Sequence, residues 1–162
     1  MKKFIILMLV FASLTGCTQS EFEEEKEIYK NYARKLENAD DKDFNNKLPF
    51  DVKVYFQQIV EGEIIYRVII DNPRKIARNI KVMAIHDYET NDIFPTSGIF
   101  DEPLSLIPNV VNLGSNYVKG IVLVGYIDTA KPLENFDAEV RLLIVYEDEN
   151  DLPQEVLFKH RK

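Results

Sequence analysis

With 162 residues, 46% of them hydrophobic and 29% charged, the chain has the length and composition of one folded domain of roughly 100–200 residues. Its 20 Lys and Arg stand against 27 Asp and Glu, a net charge of −7, which excludes a nucleic-acid binder that tracks phosphates through clustered basic side chains. A single Cys excludes an internal disulfide and a cysteine-cluster metal site, and two His with no Trp leave little for metal or acid–base chemistry.

The chain opens on Met1, Lys2 and Lys3, followed by an apolar run from Phe4 to Ser13. A helix that spans a bilayer needs about 20 apolar residues, so this run is too short to span, but it has the roughly 7–15 residues of a signal-peptide core. Leu14, Thr15, Gly16 and Cys17 come next. An aliphatic residue, two small ones and a Cys at this place resemble the lipobox of bacterial lipoproteins. The resemblance implies that residues 1–16 are a lipoprotein signal peptide, that Cys17 carries a diacylglyceryl group on its sulfur, and that cleavage makes Cys17 the first mature residue. The competing readings are a core helix with an inert thiol and an ordinary secretory signal that leaves a free thiol behind. Two acyl chains hold a protein stably where one holds it marginally. The anchor would occupy the only thiol, and removal of Lys2 and Lys3 would leave the mature chain still more acidic. The expected location is the extracytoplasmic face of the cell membrane, and a Lys-, Asn- and Glu-rich composition suggests a low-GC Gram-positive host.

Residues 17–47 read as a lipid-anchored tether. Ser20 to Glu23 has the S-x-x-E form of a capping box, and Phe22, Tyr29, Tyr32, Ala33 and Leu36 recur at helical spacing, predicting a helix over about residues 21–37. Glu23 to Glu25 suit its first turn. Its aromatic stripe has two uses: the helix stands as a solvated stalk, the simpler reading, or it docks on the domain. A partner-binding helix is a third. Asn38 to Asn46 is a polar break. Asp41, Asp43 and Asn45 alternate as in the start of a calcium loop, but Asn46 and Val52 stand where such a loop needs Gly and Glu, so no metal is assigned.

From Leu48 the period changes to two. Val52, Val54 and Phe56 alternate with Lys53, Tyr55 and Gln57, and Ile64, Tyr66, Val68 and Ile70 share one face with Ile65 and Ile69 on the other. Ile80, Val82 and Ala84 share one face opposite Met83 and Ile85. Val118 to Ile127 is apolar on both faces, the pattern of a central strand, and Gly120 and Gly125 within it mark a bulge or close packing. Val140, Leu142, Ile144 and Tyr146 alternate with Arg141, Leu143 and Val145, and Val156 and Phe158 close the series. All seven prolines are placed outside strand interiors. Asn72-Pro73 and Glu147 to Asp151 read as turns. With no helical run after residue 47, six or seven short strands predict a mainly β chain: an antiparallel β-sandwich over residues 48–162. The order of Asp71-Asn72-Pro73, Asn79-Ile80-Lys81-Val82 and Ile107-Pro108-Asn109 resembles the immunoglobulin-like domains of bacterial surface lipoproteins, which implies a single immunoglobulin-like sandwich behind a signal peptide and a short N-terminal helix.

Catalytic signals are sparse. A nucleophile needs an oriented base, and only His86 and His160 are available. His86 falls at a strand end on the face of Val82 and Ala84, as a structural histidine would, and His160 is placed near the C-terminus in solvent. Carboxylate pairs such as Asp101-Glu102 and Asp148-Glu149 could flank a glycosidic bond, but in so acidic a chain they read as solvated turns. No enzyme and no cofactor are assigned. The segment from Asn91 to Pro103 reads as a loop carrying Ile93, Phe94, Ile99 and Phe100, which either cap the core or contact a partner.

The expectation is therefore a membrane-anchored lipoprotein, attached through Cys17, that acts as a non-catalytic binding module toward an envelope protein or a wall polymer. The alternatives are a protective or exclusion lipoprotein that blocks mobile DNA, phage or toxins at the surface, and a wall-glycan enzyme.

Overall fold

A period-two sequence with one inward face can only bury that face by pairing strands and then stacking sheets. A computed structural model describes residues 17–45, 47–89, 96–109 and 117–162, with side chains described from residue 26 onward except at 101–103. Among the described residues are one α-helix, α1 (Cys17–Glu37), and seven strands: β1 (Asp51–Val60), β2 (Glu63–Asp71), β3 (Ala77–His86), β4 (Thr96–Leu106), β5 (Ile121–Asp128), β6 (Glu139–Glu147) and β7 (Pro153–Arg161). They form two antiparallel sheets, ordered β1-β2-β5 and β4-β3-β6-β7. This is the expected immunoglobulin-like sandwich.

Between the sheets lie the inward residues of each strand. Ile64, Tyr66, Val68 and Ile70 of β2, with Ile121, Leu123 and Ile127 of β5, meet Ile80, Val82 and Ala84 of β3 and Val140, Leu142 and Ile144 of β6. Aromatic pairs add to this core, Phe50 edge-on to Tyr146 and Phe56 tilted against Phe136, each 5.6 Å between ring centres. Gly125 sits where a side chain would enter the Tyr66 ring, so the close-packing alternative holds for it. Gly125→Val is expected to force the Tyr66 ring out of place and cost about 1–3 kcal/mol, read as a lower midpoint in urea with an unchanged slope.

Turns follow the predicted chemistry. Asn72 has φ 47° and Asp151 φ 60°, left-handed conformations that Asn and Asp tolerate. The β6–β7 hairpin is organised by Asp148, whose carboxylate accepts the backbone N–H of Asn150 (2.8 Å) and Leu152 (3.1 Å) and the Gln154 amide (3.0 Å).

Four findings correct the sequence reading. The helix begins at Cys17 and runs through Ser20, so Ser20 does not cap it. Residues 96–106 form a strand where a loop was expected, and Pro103 lies inside it. It is accommodated because β4 is an edge strand whose pairing jumps from Val82↔Ile99 to Ile80↔Leu104, leaving Phe100 to Pro103 bulged and out of the ladder. β5 is an edge strand, not a central one. Finally, α1 is not a free stalk. Leu36 is fully buried against Met83 and Leu143, and Tyr32, Ala33 and Phe100 pack around them. Tyr32 and Tyr29 meet the Phe100 ring edge-on at 5.6 and 6.4 Å.

The chain after the helix is pinned as well. Asn45 N–H donates to the Leu157 carbonyl at 2.8 Å, and the Phe44 ring lies under Arg141 and Lys159.

Several exposed carboxylates fasten these junctions. Asp41 pairs with Lys159, Asp137 with Arg161 and Asp51 with Arg74. Arg74 also donates to the Leu48 and Phe50 carbonyls at 2.7 and 3.1 Å. Hydrogen bonds from Lys159, Arg74 and Arg161 hold the carboxyls of Asp41, Asp51 and Asp137 below their ordinary range, and backbone N–H groups do so for Asp148. A depressed folded-state pKa contributes stability that is complete above the unfolded value near 4 and is lost as pH falls through the folded value. The thermal midpoint is therefore expected to stay level from about pH 7 to 5 and to fall below about pH 4. Asp148→Asn should remove part of that acid dependence.

Candidate interaction surface

The two sheets have unlike outer faces. On the four-stranded sheet, Met83, Ile85, Leu143, Val145 and Leu157 point away from the core and lie under or beside α1. On the three-stranded sheet, the register aligns the outward residues in rows across β1, β2 and β5: Lys53–Ile69–Val122, Tyr55–Arg67–Val124 and Gln57–Ile65–Tyr126. Among the described residues no helix lies over them, and of the row residues Ile65 alone is closed off, 2% exposed between its neighbours. Tyr55 and Tyr126 are each 53% exposed and Val122 54%. Beyond the last row, Ile59 and Val60 are exposed at the hairpin that Gly62, with φ 90°, turns into β2.

The face has a polar seam and an acidic end. Arg67 donates to the Gln57 side-chain Oε1 at 2.6 Å, and its row neighbours are Tyr55 and Val124. A depression at the hairpin end is lined by Val60, Glu61, Gly62, Glu63, Tyr126 and Asp128. Apolar residues scattered singly on a surface are ordinary, whereas aromatic and branched side chains contiguous on one rigid face are a binding device.

The residues singled out from the sequence are distributed differently. Cys17 is the first residue of α1. Ile93 and Phe94 lie outside the described residues. Ile99 is half-buried against the inter-sheet core and Phe100 against the helix, so β4 points them in opposite directions and the structure does not bring them together. Asp148 braces a hairpin, as described above. The ring nitrogens of His86 are shielded from solvent, and the ring meets Tyr66 edge-on at 5.9 Å. His160, expected in solvent, instead stacks on Phe56 at 6.4 Å between ring centres and is half-buried, because its position in β7 points it toward the core. Asp41 and Asp43 lie in a 3-10 turn, where Asp43 accepts the Asp40 N–H at 2.9 Å. Among the described residues no cluster of three or more His, Cys, Asp or Glu is placed to hold a metal, and no helix is long and apolar enough to cross a membrane.

The chain matches no family model, and no curated protein or solved structure is significantly similar to it. The sequence missed Tyr55, Ile59, Val122, Val124 and Tyr126. The available signal was apolarity on both faces of a strand in a sandwich that has one inner face.

Proposed function

We propose that the chain is a lipid-anchored binding module on the extracytoplasmic face of the cell membrane, and that the outer face of β1-β2-β5 contacts a protein of the envelope. The anchor rests on Lys2-Lys3, the short apolar run and Leu14-Thr15-Gly16-Cys17. The observation that carries the binding role is the unequal treatment of the two sheets: one outer face lies under α1, while the other presents two tyrosines and several branched side chains to solvent. Interfaces concentrate Tyr and Arg at their centres, and Tyr55, Arg67 and Tyr126 supply both. A protein groove suits this face better than a wall polymer, because branched residues such as Val122 and Ile59 give a sugar neither a stacking plane nor a hydrogen bond.

Two measurements test the proposal. Cys17→Ser is expected to release the protein from membranes or to leave it as an uncleaved precursor, seen by fractionation and mass. Normal processing with full membrane retention would refute the anchor. A photo-crosslinking residue at Tyr126 in intact cells is expected to capture one dominant protein other than the chain itself, and the same residue at Asn150, exposed on the β6–β7 hairpin, is expected not to. Equal capture at both positions, or none at Tyr126, removes the binding role from this face.

A further inference from the structure

An antiparallel sandwich has four edge strands, and three of these carry devices that discourage pairing with another chain. β1 bears Lys53 and a register break between Gln58 and Val60. β4 bears Pro103 and two register breaks. β7 opens on Pro153, carries Lys159 and Arg161, and is bridged at Leu157 by Phe44. β5 has none of these. From Ile121 to Ile127 it reads IVLVGYI, without charge or proline, and among the described residues it pairs on one side only, with β2.

The direction of its backbone groups follows from one bond. Thr129 N–H donates to the Gly62 carbonyl at 2.9 Å, in line with the β2–β5 register. Hydrogen-bonding pairs alternate along an antiparallel ladder. Residues 121, 123, 125 and 127 therefore turn their N–H and C=O toward β2. Val122, Val124 and Tyr126 turn theirs to the outer edge, and the same three residues expose their side chains.

We propose that β5 pairs with β5 of a second copy of this chain, antiparallel, about a twofold axis at Val124. The two sheets would then join into one, ordered β1-β2-β5-β5-β2-β1. In this register Val124 exchanges both backbone bonds with its counterpart, and Val122 does so with Tyr126 of the second copy. A branched side chain thus lies against a ring on the exposed face. On the inner face Leu123 stands opposite Gly125, large against small. At each end Asp128 stands opposite Gly120, which carries no side chain to oppose the carboxylate where the strands part. A twofold axis one residue further on, at Gly125, would set Asp128 against the apolar Val122, which disfavours that register. An isologous contact of this kind closes on itself and ends assembly at two copies.

The test uses the full chain, in the membranes of expressing cells and after extraction into detergent. Val124→Cys is expected to form a disulfide-linked dimer, because hydrogen-bonded partners lie about 5.5 Å apart between Cα atoms, within disulfide range. Tyr55→Cys, on the same face at the far edge, and the unaltered chain with Cys17 alone are expected not to. Val124→Lys places two ammonium groups on the axis at a position 39% exposed in the monomer. It is expected to keep the far-ultraviolet spectrum and thermal midpoint while weakening self-association at least about tenfold by sedimentation. A monomeric unaltered chain up to about 100 μM, equal disulfide formation at both edges, or a dimer indifferent to Val124→Lys overturns the proposal. None of these readouts depends on the lipid or on an envelope partner.

Discussion

Leu36→Ala is expected to loosen α1 from the sandwich while leaving the two sheets intact. Leu36 is wholly buried between the helix and the outer face of β3 and β6. Truncating a buried Leu costs about 2–5 kcal/mol, and the helix otherwise rests on Tyr29 and Tyr32 against Phe100 and on weak polar contacts. The Lys35–Glu155 pair is roughly half exposed on both sides, so it contributes under about 1 kcal/mol. The Leu36 carbonyl accepts from Arg141 at 3.4 Å, a long bond, and Tyr29 meets Thr96 through their hydroxyls. The effect should therefore be local. Hydrogen exchange is expected to accelerate at the amides of α1 and to remain slow in β2, β3 and β6, whose inward faces are buried between the sheets. If strand protection falls in parallel with the helix, the helix and sandwich form one cooperative unit and the idea of a separately docked helix fails. Glu155→Gln is expected to change neither. The outcome bears on the proposed anchor directly: with α1 docked, the domain keeps a fixed attitude to Cys17, and with α1 loosened it does not.

The alternation that defined the sandwich was legible because it is a local property. Val82 and Ala84 against Met83 and Ile85, or Leu142 and Ile144 against Leu143 and Val145, show both faces of β3 and β6 in the sequence, and the structure buries each set in a different cluster. β4 was hidden for an equally local reason. Gly98 and Pro103 are poor strand residues, and only the edge position with its bulge makes them acceptable. His160 was misplaced because proximity to the C-terminus says nothing about a side chain's direction, whereas its strand parity with Phe158 does.

Strand order is not local, and that is where the reading of β5 failed. Two apolar faces on Ile121–Asp128 suggested a strand enclosed on both sides. Yet β3 and β6 also have two apolar faces, and the described chain supplies one helix. One helix covers one sheet. Once Leu36 and the aromatic stripe are committed to β3 and β6, the outer residues of β2 and β5 have no cover left in the described chain. The candidate surface was thus implied by a count of apolar faces against available covers. Which sheet would be left bare was not implied, since that depends on contacts such as Phe100 with Tyr32, joined across residues far apart in the sequence.

Neighbouring substitutions on β1 are expected to separate stability from binding. Val54 is 8% exposed within the inter-sheet core, and Tyr55, the next residue, is 53% exposed on the outer face. Val54→Asp places a charge among Ile, Val and Phe side chains with no partner, a change in the severe class above about 4 kcal/mol, and the protein is expected not to fold stably. Tyr55→Asp together with Ile59→Asp alters only the solvent side and should stay within about 1 kcal/mol, with a normal thermal midpoint. If the face binds an envelope protein, the same double variant is expected to lose capture at Tyr126 by at least about tenfold, as when an aromatic anchor is removed from an interface centre. The double substitution lies on β1, at the edge away from β5, so self-association through Val124 should persist in it. A stable variant that still captures its partner would mean that this apolar face is not the binding surface. A variant that unfolds would mean that Tyr55 and Ile59 support the sandwich after all. Unchanged stability with lost capture is the outcome expected of a face kept apolar for a partner, because burial within the chain gives no reason for it.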